Sequence, residues 1–254
     1  MKNTGLLPGI QNTAFGIFGC SREPQMKEPP KEPPPSLRPA APEPVQAMEF
    51  RDDIWERADW PNKGVFNCVW RPDNIAIDNG VMTLHLKRTE EEEYPYVSGE
   101  YRSREEFKYG KFHVRMKAAS GAGLVSSFFV YTGRHGVNSH HEIDIEILGS
   151  NTRQAQLTYY IEGSVGIKKV VDLPFDASED FHEYGFVWTK THIEWFVDGN
   201  SVLKTEGGRM PYMPCKIMMN LWPGTKEASG WLGGIYEGDG ATAQYEQVKY
   251  EKAE

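Results

Sequence analysis

The chain has 254 residues, which is enough for one large domain or two small ones. It carries 28 Lys and Arg against 36 Asp and Glu, and the part from Glu49 onward has a net charge of about −9. That balance argues against nucleic acid or an anionic membrane as a partner, because phosphate binding requires clustered Lys and Arg. No run of 18 or more apolar residues occurs, so the sequence predicts no membrane-spanning helix.

Prolines and aromatic residues divide the chain unevenly. Eight of the 17 prolines fall between Pro29 and Pro44, whereas 29 of the 31 aromatic residues, including all seven Trp, follow residue 48. Trp and Tyr rings suit flat, partly apolar ligands such as sugars, and they also suit the core of a β-rich protein. Composition leaves both interpretations open.

The first 48 residues predict a leader followed by a linker. Residues 1–22 form a candidate secretion leader, in which a short apolar stretch ends in Ile17-Phe-Gly-Cys20. This ending resembles the lipobox of bacterial lipoproteins, where the cysteine is lipidated. Residues 23–48 alternate Pro with charged residues and predict a disordered linker. We therefore expect a protein that is secreted or lipid-anchored at a bacterial cell surface through Cys20; the alternative is an unprocessed disordered tail.

The three cysteines are too few and too scattered for a disulfide framework or a zinc site with paired ligands. Apart from Cys20, they are Cys68 and Cys215. One bridge between these two is an option, and two buried free thiols are the interpretation we favour.

From residue 81 the dominant pattern is alternation of apolar and polar residues, which predicts β-strands. Turn sequences separate the strands, and Asp198-Gly199 between two alternating runs predicts a tight hairpin. No segment keeps an apolar stripe of helical period for three turns, although one short helix is predicted near residues 174–180. The predicted strands are residues 81–87, 100–104, 111–117, 125–131, 142–148, 154–160, 168–172, 182–188, 193–197, 216–221 and 242–250.

Many short strands with almost no helix predict one all-β domain over residues 49–254. Two sheets of this kind must pack face to face to bury their apolar sides. The predicted fold is therefore a two-sheet antiparallel β-sandwich of jelly-roll type.

The most informative segment is His140-His-Glu-Ile-Asp-Ile-Glu-Ile-Leu-Gly149. Side chains alternate along a strand, so Glu142, Asp144 and Glu146 share one face and three isoleucines share the other. Neighbouring carboxylates repel one another and raise at least one pKa, which is how a site holds an acid and a base at neutral pH. The alternative is a solvated acidic face, which usually mixes Lys among the acids; this strand has none.

The same segment bears on two further questions, a metal site and the stereochemistry of the reaction. Consecutive histidines point to opposite faces of a strand, so only His140, and not His141, joins the acids, which disfavours a catalytic metal. The backbones of Glu142 and Glu146 are about 13 Å apart at ~3.3 Å per residue. Retaining glycosidases hold their two carboxyl groups ~5–5.5 Å apart and inverting ones ~6.5–9.5 Å, so spacing alone leaves the stereochemistry open.

At these residues the sequence resembles glycoside hydrolase family 16, and within it the bacterial lichenases, which are endo-β-1,3-1,4-glucanases. The Glu-Ile-Asp-Ile-Glu core is that family's catalytic motif, and here it is uninterrupted, as in lichenases. The resemblance covers essentially all of residues 50–250 and implies a concanavalin A-like jelly roll. The matching segments are residues 56–59, 64–68, 100–103, 125–133, 175–178 and 216–222.

The resemblance also implies roles for single residues. Glu142 corresponds to the nucleophile that forms a glycosyl-enzyme intermediate, Glu146 to the general acid and base, and Asp144 to the residue that tunes the pair, in a reaction that retains configuration. No cofactor or metal is implied for catalysis. The residues implied to line a sugar-binding cleft are Asn62, Glu100, Arg102, Phe129, Tyr131, Tyr160, Asn220, Trp222 and Trp231.

Each cleft assignment has a physical rationale. Trp and Tyr faces stack on the C–H surfaces of sugars, while Asn, Glu and Arg hydrogen-bond hydroxyl groups. The alternative role of Phe129 and Tyr160 is core packing, and that of Arg102 is pairing with Glu100.

Several positions depart from the lichenase pattern. Ser98 replaces the cysteine that often pairs with Cys68, so the family's disulfide should be absent. Glu246 stands where a calcium-binding Asp is usual, which disfavours a structural calcium ion. The cleft region differs at three positions, where Trp and two Asn are usual: His140, Thr158 and Pro223.

The leading hypothesis is an endo-acting retaining hydrolase of β-1,3-1,4-glucan that works by double displacement. One alternative is a related endoglycanase acting on a bacterial exopolysaccharide such as succinoglycan, or on β-1,3-glucan. A sugar-binding lectin on the same scaffold is a different class, which the intact acidic triplet disfavours because a pure binder has no use for it. We expect a monomer whose partner is the polysaccharide substrate.

Overall fold

The computed structural model describes residues 45–133, 135 and 139–253. No helix in this part of the chain is long and apolar enough to cross a membrane. The α-helix α1 spans Ser229–Leu232, and 3-10 turns span Pro72–Asn74 and Lys226–Ala228. The strands are β1 (Gln46–Ala47), β2 (Trp55–Arg57), β3 (Trp60–Pro61), β4 (Val69–Trp70), β5 (Ile75–Asp78), β6 (Val81–Arg88), β7 (Tyr96–Ser98), β8 (Glu100–Ser103), β9 (Gly110–Lys117), β10 (Leu124–Tyr131), β11 (Glu142–Leu148), β12 (Gln154–Ile161), β13 (Ser164–Asp172), β14 (His182–Trp188), β15 (His192–Val197), β16 (Asn200–Glu206), β17 (Lys216–Pro223) and β18 (Gly240–Lys252).

The strands form two sheets. One has seven strands in the order β13-β12-β11-β10-β17-β8-β2. The other has eleven, in the order β16-β15-β14-β9-β18-β6-β7-β4-β3, with β1 added beside β18 and β5 beside β6. Within the described residues, every strand pair is antiparallel except β4 with β7, which is parallel. The predicted two-sheet antiparallel sandwich of jelly-roll type is confirmed.

Each strand predicted from alternation is present, with ends that differ by at most four residues. The hairpin at Asp198-Gly199 is also confirmed. It joins β15 to β16, and both of its central residues have positive φ, 46° and 75°, as a tight primed turn requires.

The helix predicted near residues 174–180 is wrong. The segment forms a single turn, in which the Asp176 carboxylate accepts hydrogen bonds from the backbone N–H and the hydroxyl of Ser178. The backbone of Ala177 bonds to other segments of the chain: its N–H donates to the Thr152 carbonyl, and its carbonyl accepts from the Ala118 N–H. These contacts to neighbouring chain segments compete with helical hydrogen bonds and stop the helix after one turn.

The core between the sheets fixes which way the acidic strand faces. Ile143, Ile145 and Ile147 of β11 are fully buried in it. From the eleven-stranded sheet, the indole N–H of Trp195 crosses the core and donates to the Asp144 carbonyl at 3.2 Å. The alternate side chains of β11 must therefore point away from the core.

The N-terminal boundary of the sandwich lies earlier than the sequence predicted. Gln46 and Ala47 pair with Tyr250 and Lys249 of β18, and the Met48 side chain is buried in the core. Residues 46–48, which the sequence predicts as part of the linker, therefore belong to the sandwich. The leader, Cys20 and residues 23–44 lie outside the described residues, and what the sequence indicates about them stays a prediction.

Cys68 and Cys215 are buried free thiols, as predicted. Burial raises the pKa of both thiols. At Ser98, where the sequence resemblance implies that a cysteine is usual, the hydroxyl group is buried and donates to the Leu221 carbonyl at 2.5 Å. A polar side chain thus satisfies the buried carbonyl of Leu221.

Replacement of Ile145 tests the claim that the isoleucine face anchors the acidic strand. We expect Ile145→Ala to lower the free energy of unfolding by about 3 kcal/mol, and Ile145→Val by about 1 kcal/mol, because the cost grows with the cavity left behind. Urea denaturation measures both. Equal, small losses for the two variants would contradict a tightly packed inter-sheet core at this position.

Candidate active site

Three carboxyl groups line one face of β11, near the middle of the seven-stranded sheet. Glu142, Asp144 and Glu146 all border a cleft of about 560 Å³. Asp144 is 5% exposed, and the two glutamates flanking it are half-buried. The alternation seen in the sequence therefore places the acids together at the floor of the cleft.

The strand register sets the neighbours of each acid. Across the sheet, Tyr160 and Tyr131 flank Glu142, Thr158 and Phe129 flank Asp144, and Gln156 and Ser127 flank Glu146. The row through Glu146 continues over β17 and β8 to Asn220 and Glu100, and the row through Asp144 continues to Arg102. Residues far apart in sequence thus share one polar surface.

Glu142 is in contact with a histidine. The Nε2 atom of His140 lies 2.7 Å from Oε2 of Glu142. The His140 ring is 1% exposed and stacks on Tyr160, with 4.8 Å between ring centroids. As predicted, His140 joins the acidic face, whereas His141 lies on the other side of the strand and packs against Tyr212.

Burial and mutual repulsion change the protonation of the two other acids. Burial, and then the charges of Glu142 and Glu146, raise the pKa of Asp144 well above its usual range, and its hydrogen bond with Glu142 adds to the rise. Burial and the charge of Glu142 raise the pKa of Glu146 to about 7. The face therefore holds a carboxylic acid at neutral pH, as the sequence predicts for crowded carboxylates.

Gln156, Trp231 and Lys168 form a polar connection to Glu146. The Gln156 side-chain amide donates to Glu146 Oε2 at 2.5 Å, and its oxygen accepts from the Trp231 indole at 2.8 Å. The Lys168 ammonium lies 4.4 Å from the Trp231 ring centroid, and its positive charge offsets part of the rise in the pKa of Glu146. The amide is thereby held in one orientation, with its N–H₂ group toward the acid.

Glu100 is a fourth buried acid at the cleft. Burial raises its pKa to about 7, and a hydrogen bond from the Asn220 amide at 3.2 Å opposes that rise. The Asn220 Oδ1 atom is buried and has no hydrogen-bond partner among the described residues. It is an acceptor available to a ligand that enters the cleft.

Arg102 forms its ion pair with Glu56 and not with Glu100, the partner that the sequence offered as an alternative. Its Nε donates to Glu56 at 2.8 Å, and its guanidinium lies over the Trp60 ring at 4.3 Å. Its direct partner is therefore Glu56 on the neighbouring strand β2, and it acts on Glu100 only through its charge.

Comparisons with known proteins agree with this geometry. Residues 44–245 match the family described as glycosyl hydrolases family 16. The chain belongs to this family. It is 50% identical over 205 residues to a β-glucanase of Acetivibrio thermocellus, a match that covers 79% of this chain and 60% of that protein.

Two solved structures are also similar to this family 16 chain. A prokaryotic β-1,3-1,4-glucanase (lichenase) from a mouse hindgut metagenome is 42% identical with a TM-score of 0.76, covering 82% of this chain and 98% of that one. The Bacillus licheniformis β-glucanase is 37% identical with a TM-score of 0.75, over the same shares. The match spans 60% of the Acetivibrio relative's length, which is less than two thirds, but 98% of each of these two structures.

Most residues predicted for the cleft line it. Tyr160 and Trp231 lie beside it instead, the first against His140 and the second against Gln156. Phe129 is both 6% exposed and part of the lining, so its two predicted roles coincide. The predicted residues that border the cleft are Asn62, Glu100, Arg102, Phe129, Tyr131, Asn220 and Trp222.

Sequence reasoning missed another set of residues. Ser127 shares the alternation of Phe129 and Tyr131, and that signal could have found it. Gln156 and Lys168 are recognisable only once the register of β11, β12 and β13 is known. The unpredicted residues that border the cleft include Trp60, Phe66, Ser127, His135 and Met218.

The donors at Glu246 do not fit a calcium ion. Its carboxylate is bound by the Arg115 guanidinium, so a positive charge already occupies the place of a cation. No group of three or more metal-ligating side chains was found within the described ranges.

The raised pKa of Glu146 predicts a stability change. The folded family 16 domain holds the Glu146 proton up to about pH 7, whereas the unfolded chain releases it near its usual value, 4.5. This contribution to stability is complete below pH 4.5 and is lost as the pH rises through 7. We expect the free energy of unfolding of Glu146→Gln to exceed that of the parent by roughly 1–3 kcal/mol at pH 8 and to equal it at pH 4.5.

The matched control is Glu237→Gln, which removes one exposed carboxylate. Urea denaturation at both pH values measures the difference. A Glu146→Gln variant that is no more stable than the control at pH 8 would show that the ionised Glu146 carboxylate does not destabilise the fold.

Proposed function

We propose that this chain is an endo-acting retaining hydrolase of β-1,3-1,4-glucan. The observation that carries the proposal is the division of labour on β11. Glu142 accepts a hydrogen bond from His140, while burial raises the pKa of Glu146, two positions along the same face, to about 7. One face thus offers both a carboxylate and a carboxylic acid, as double displacement requires.

The first half of the reaction uses both glutamates. The Glu142 carboxylate attacks the anomeric carbon, the bond to the leaving oxygen breaks, and Glu146 gives its proton to that oxygen. In the second half Glu146 takes a proton from water, which attacks the glycosyl-enzyme and releases Glu142. A pKa near 7 suits Glu146 to both transfers, because it can give and regain a proton at neutral pH.

Asp144 supports Glu142 in this scheme. Its raised pKa keeps it protonated, so that it can donate its hydrogen bond to the neighbouring carboxyl group. A neutral Asp144 also removes one negative charge from between the two glutamates.

The lining of the cleft supports a neutral polysaccharide as the substrate. Trp222 packs on Phe66 with ring centroids 4.6 Å apart, and both border the cleft, where such rings can stack on sugar C–H surfaces. The Oδ1 atom of Asn220 has no hydrogen-bond partner among the described residues and offers an acceptor for a hydroxyl group. A cleft that is open to solvent admits the interior of a long chain. The similar mouse hindgut enzyme, named as a β-1,3-1,4-glucanase, supports this linkage pattern.

An assay on four polysaccharides tests the substrate. We expect the purified chain to cleave barley β-glucan and lichenan to short oligosaccharides, because both contain the mixed β-1,3 and β-1,4 linkages named for the similar mouse hindgut lichenase. We also expect it to release β-anomers first. Reducing-end assays, product identification and NMR of the first anomer measure this. Cleavage of laminarin alone would instead support a β-1,3-glucanase, and cleavage of succinoglycan alone would support an exopolysaccharide depolymerase.

Azide rescue tests the two catalytic roles. We expect Glu142→Ala to lose activity by at least about 10³-fold, because no covalent intermediate can form, and azide to restore turnover with an α-glycosyl azide product. For Glu146→Ala we expect rescue that yields a β-glycosyl azide. The control is Glu194→Ala, whose carboxylate lies on the other sheet and accepts from Ser201. Near-normal turnover by Glu142→Ala would be incompatible with the mechanism.

A further inference from the structure

His140 touches the proposed nucleophile from outside the acidic triplet. It lies two positions before Glu142, so the two side chains share a face of the chain. The 2.7 Å contact joins its Nε2 to Oε2 of Glu142. An ionised carboxylate has no hydrogen to give, so the imidazole N–H is the donor in this contact.

The His140 ring is itself fixed by its surroundings. Tyr160 stacks on it at 4.8 Å with 19° between the planes, and Tyr131 meets it edge-on at 5.3 Å. The ring of His135 lies 5.1 Å away, and the His140 carbonyl accepts from the Gly163 N–H at 3.1 Å. With 1% of its surface exposed, the ring cannot turn without displacing these neighbours.

We infer that His140 is the positioning residue that sets the orientation of the Glu142 carboxylate for attack, an inference that rests on the proposed function. The terminal torsion of a Glu side chain is broad and roughly two-fold, so packing alone does not fix it. A hydrogen bond from His140 to Oε2, together with the one from Asp144, fixes that torsion. The carboxylate is then held in one orientation before the substrate binds.

A substrate with an activated leaving group isolates this step. In a 2,4-dinitrophenyl glycoside of a mixed-linkage glucose trisaccharide, a Glu142 oxygen bonds to the anomeric carbon and the carbon–oxygen bond to the aryl group breaks. The electron pair leaves on dinitrophenolate, which needs no proton. The single-turnover rate of dinitrophenolate release therefore reports on the nucleophile and is independent of Glu146 as an acid.

Two substitutions separate the hydrogen bond from the ring. His140→Phe keeps a flat ring against Tyr160 and removes the donor, and we expect it to slow dinitrophenolate release about 10–100-fold with little change in substrate affinity. His140→Gln places an amide N–H₂ near the position of Nε2, and we expect it to recover most of that loss. The control is His182→Phe, which removes a histidine–carboxylate contact of 2.8 Å, to Asp198, on the other sheet.

Thermal unfolding of each variant is measured beside the kinetics. The expected result is a slow His140→Phe, a largely recovered His140→Gln and an unaffected His182→Phe, with similar melting temperatures. The inference is overturned if His140→Phe releases dinitrophenolate at the parent's rate, or if His140→Gln is as slow as His140→Phe. If the parent itself forms no glycosyl-enzyme, which intact mass spectrometry detects, the proposed function fails and the inference fails with it.

Discussion

The burial of the isoleucine side of β11 is the constraint on which the site depends. Because Ile143, Ile145 and Ile147 occupy the core between the sheets, the acids between them can only face the cleft. The opposite sheet reinforces this at the backbone. The Tyr245 hydroxyl contacts the carbonyls of Ser127 and Asn220, so the strands on that side of the acids are tied to the same core. The hydrophobic packing that stabilises the fold is thus also what orients the chemistry.

Four acids close together at the cleft repel one another when ionised, and different neighbours reduce this repulsion at each acid. Asp144 avoids the repulsion by keeping its proton, while Gln156 and the charge of Lys168 favour the ionised form of Glu146. At Glu100 the Asn220 amide has the same effect. These partners set how much of the repulsion remains as a raised pKa. The raised pKa of Glu146 therefore has two effects: it keeps a proton available near neutral pH, and it measures how much the ionised carboxylate destabilises the fold.

The alternation of apolar and polar residues was enough to predict the two sheets and the shared face of the triplet, because both follow from a period of two. Contacts between strands distant in sequence were not predictable in the same way. Arg102 pairs with Glu56 rather than with Glu100 because the register of β2 and β8 places them side by side. Gln156 likewise contacts Glu146 because the register of β11 and β12 sets them opposite each other. The helix predicted near residues 174–180 does not form because the Asp176 carboxylate accepts hydrogen bonds within a tight turn. The sandwich begins before residue 49 because Met48 is buried in the core, although the composition of that segment predicts a linker.

The buried hydroxyl group of Ser98, where the sequence resemblance implies that a cysteine is usual, has a further consequence. A disulfide limits the unfolded chain and makes folding depend on an oxidant, whereas the hydrogen bond from Ser98 to Leu221 forms with no change of oxidation state. Cys68 and Cys215 stay reduced in the interior, where burial keeps their thiols protonated and unreactive. Neither thiol is cross-linked, so among the described residues the geometry of the cleft depends on no disulfide bond and the sandwich needs no oxidant to form one.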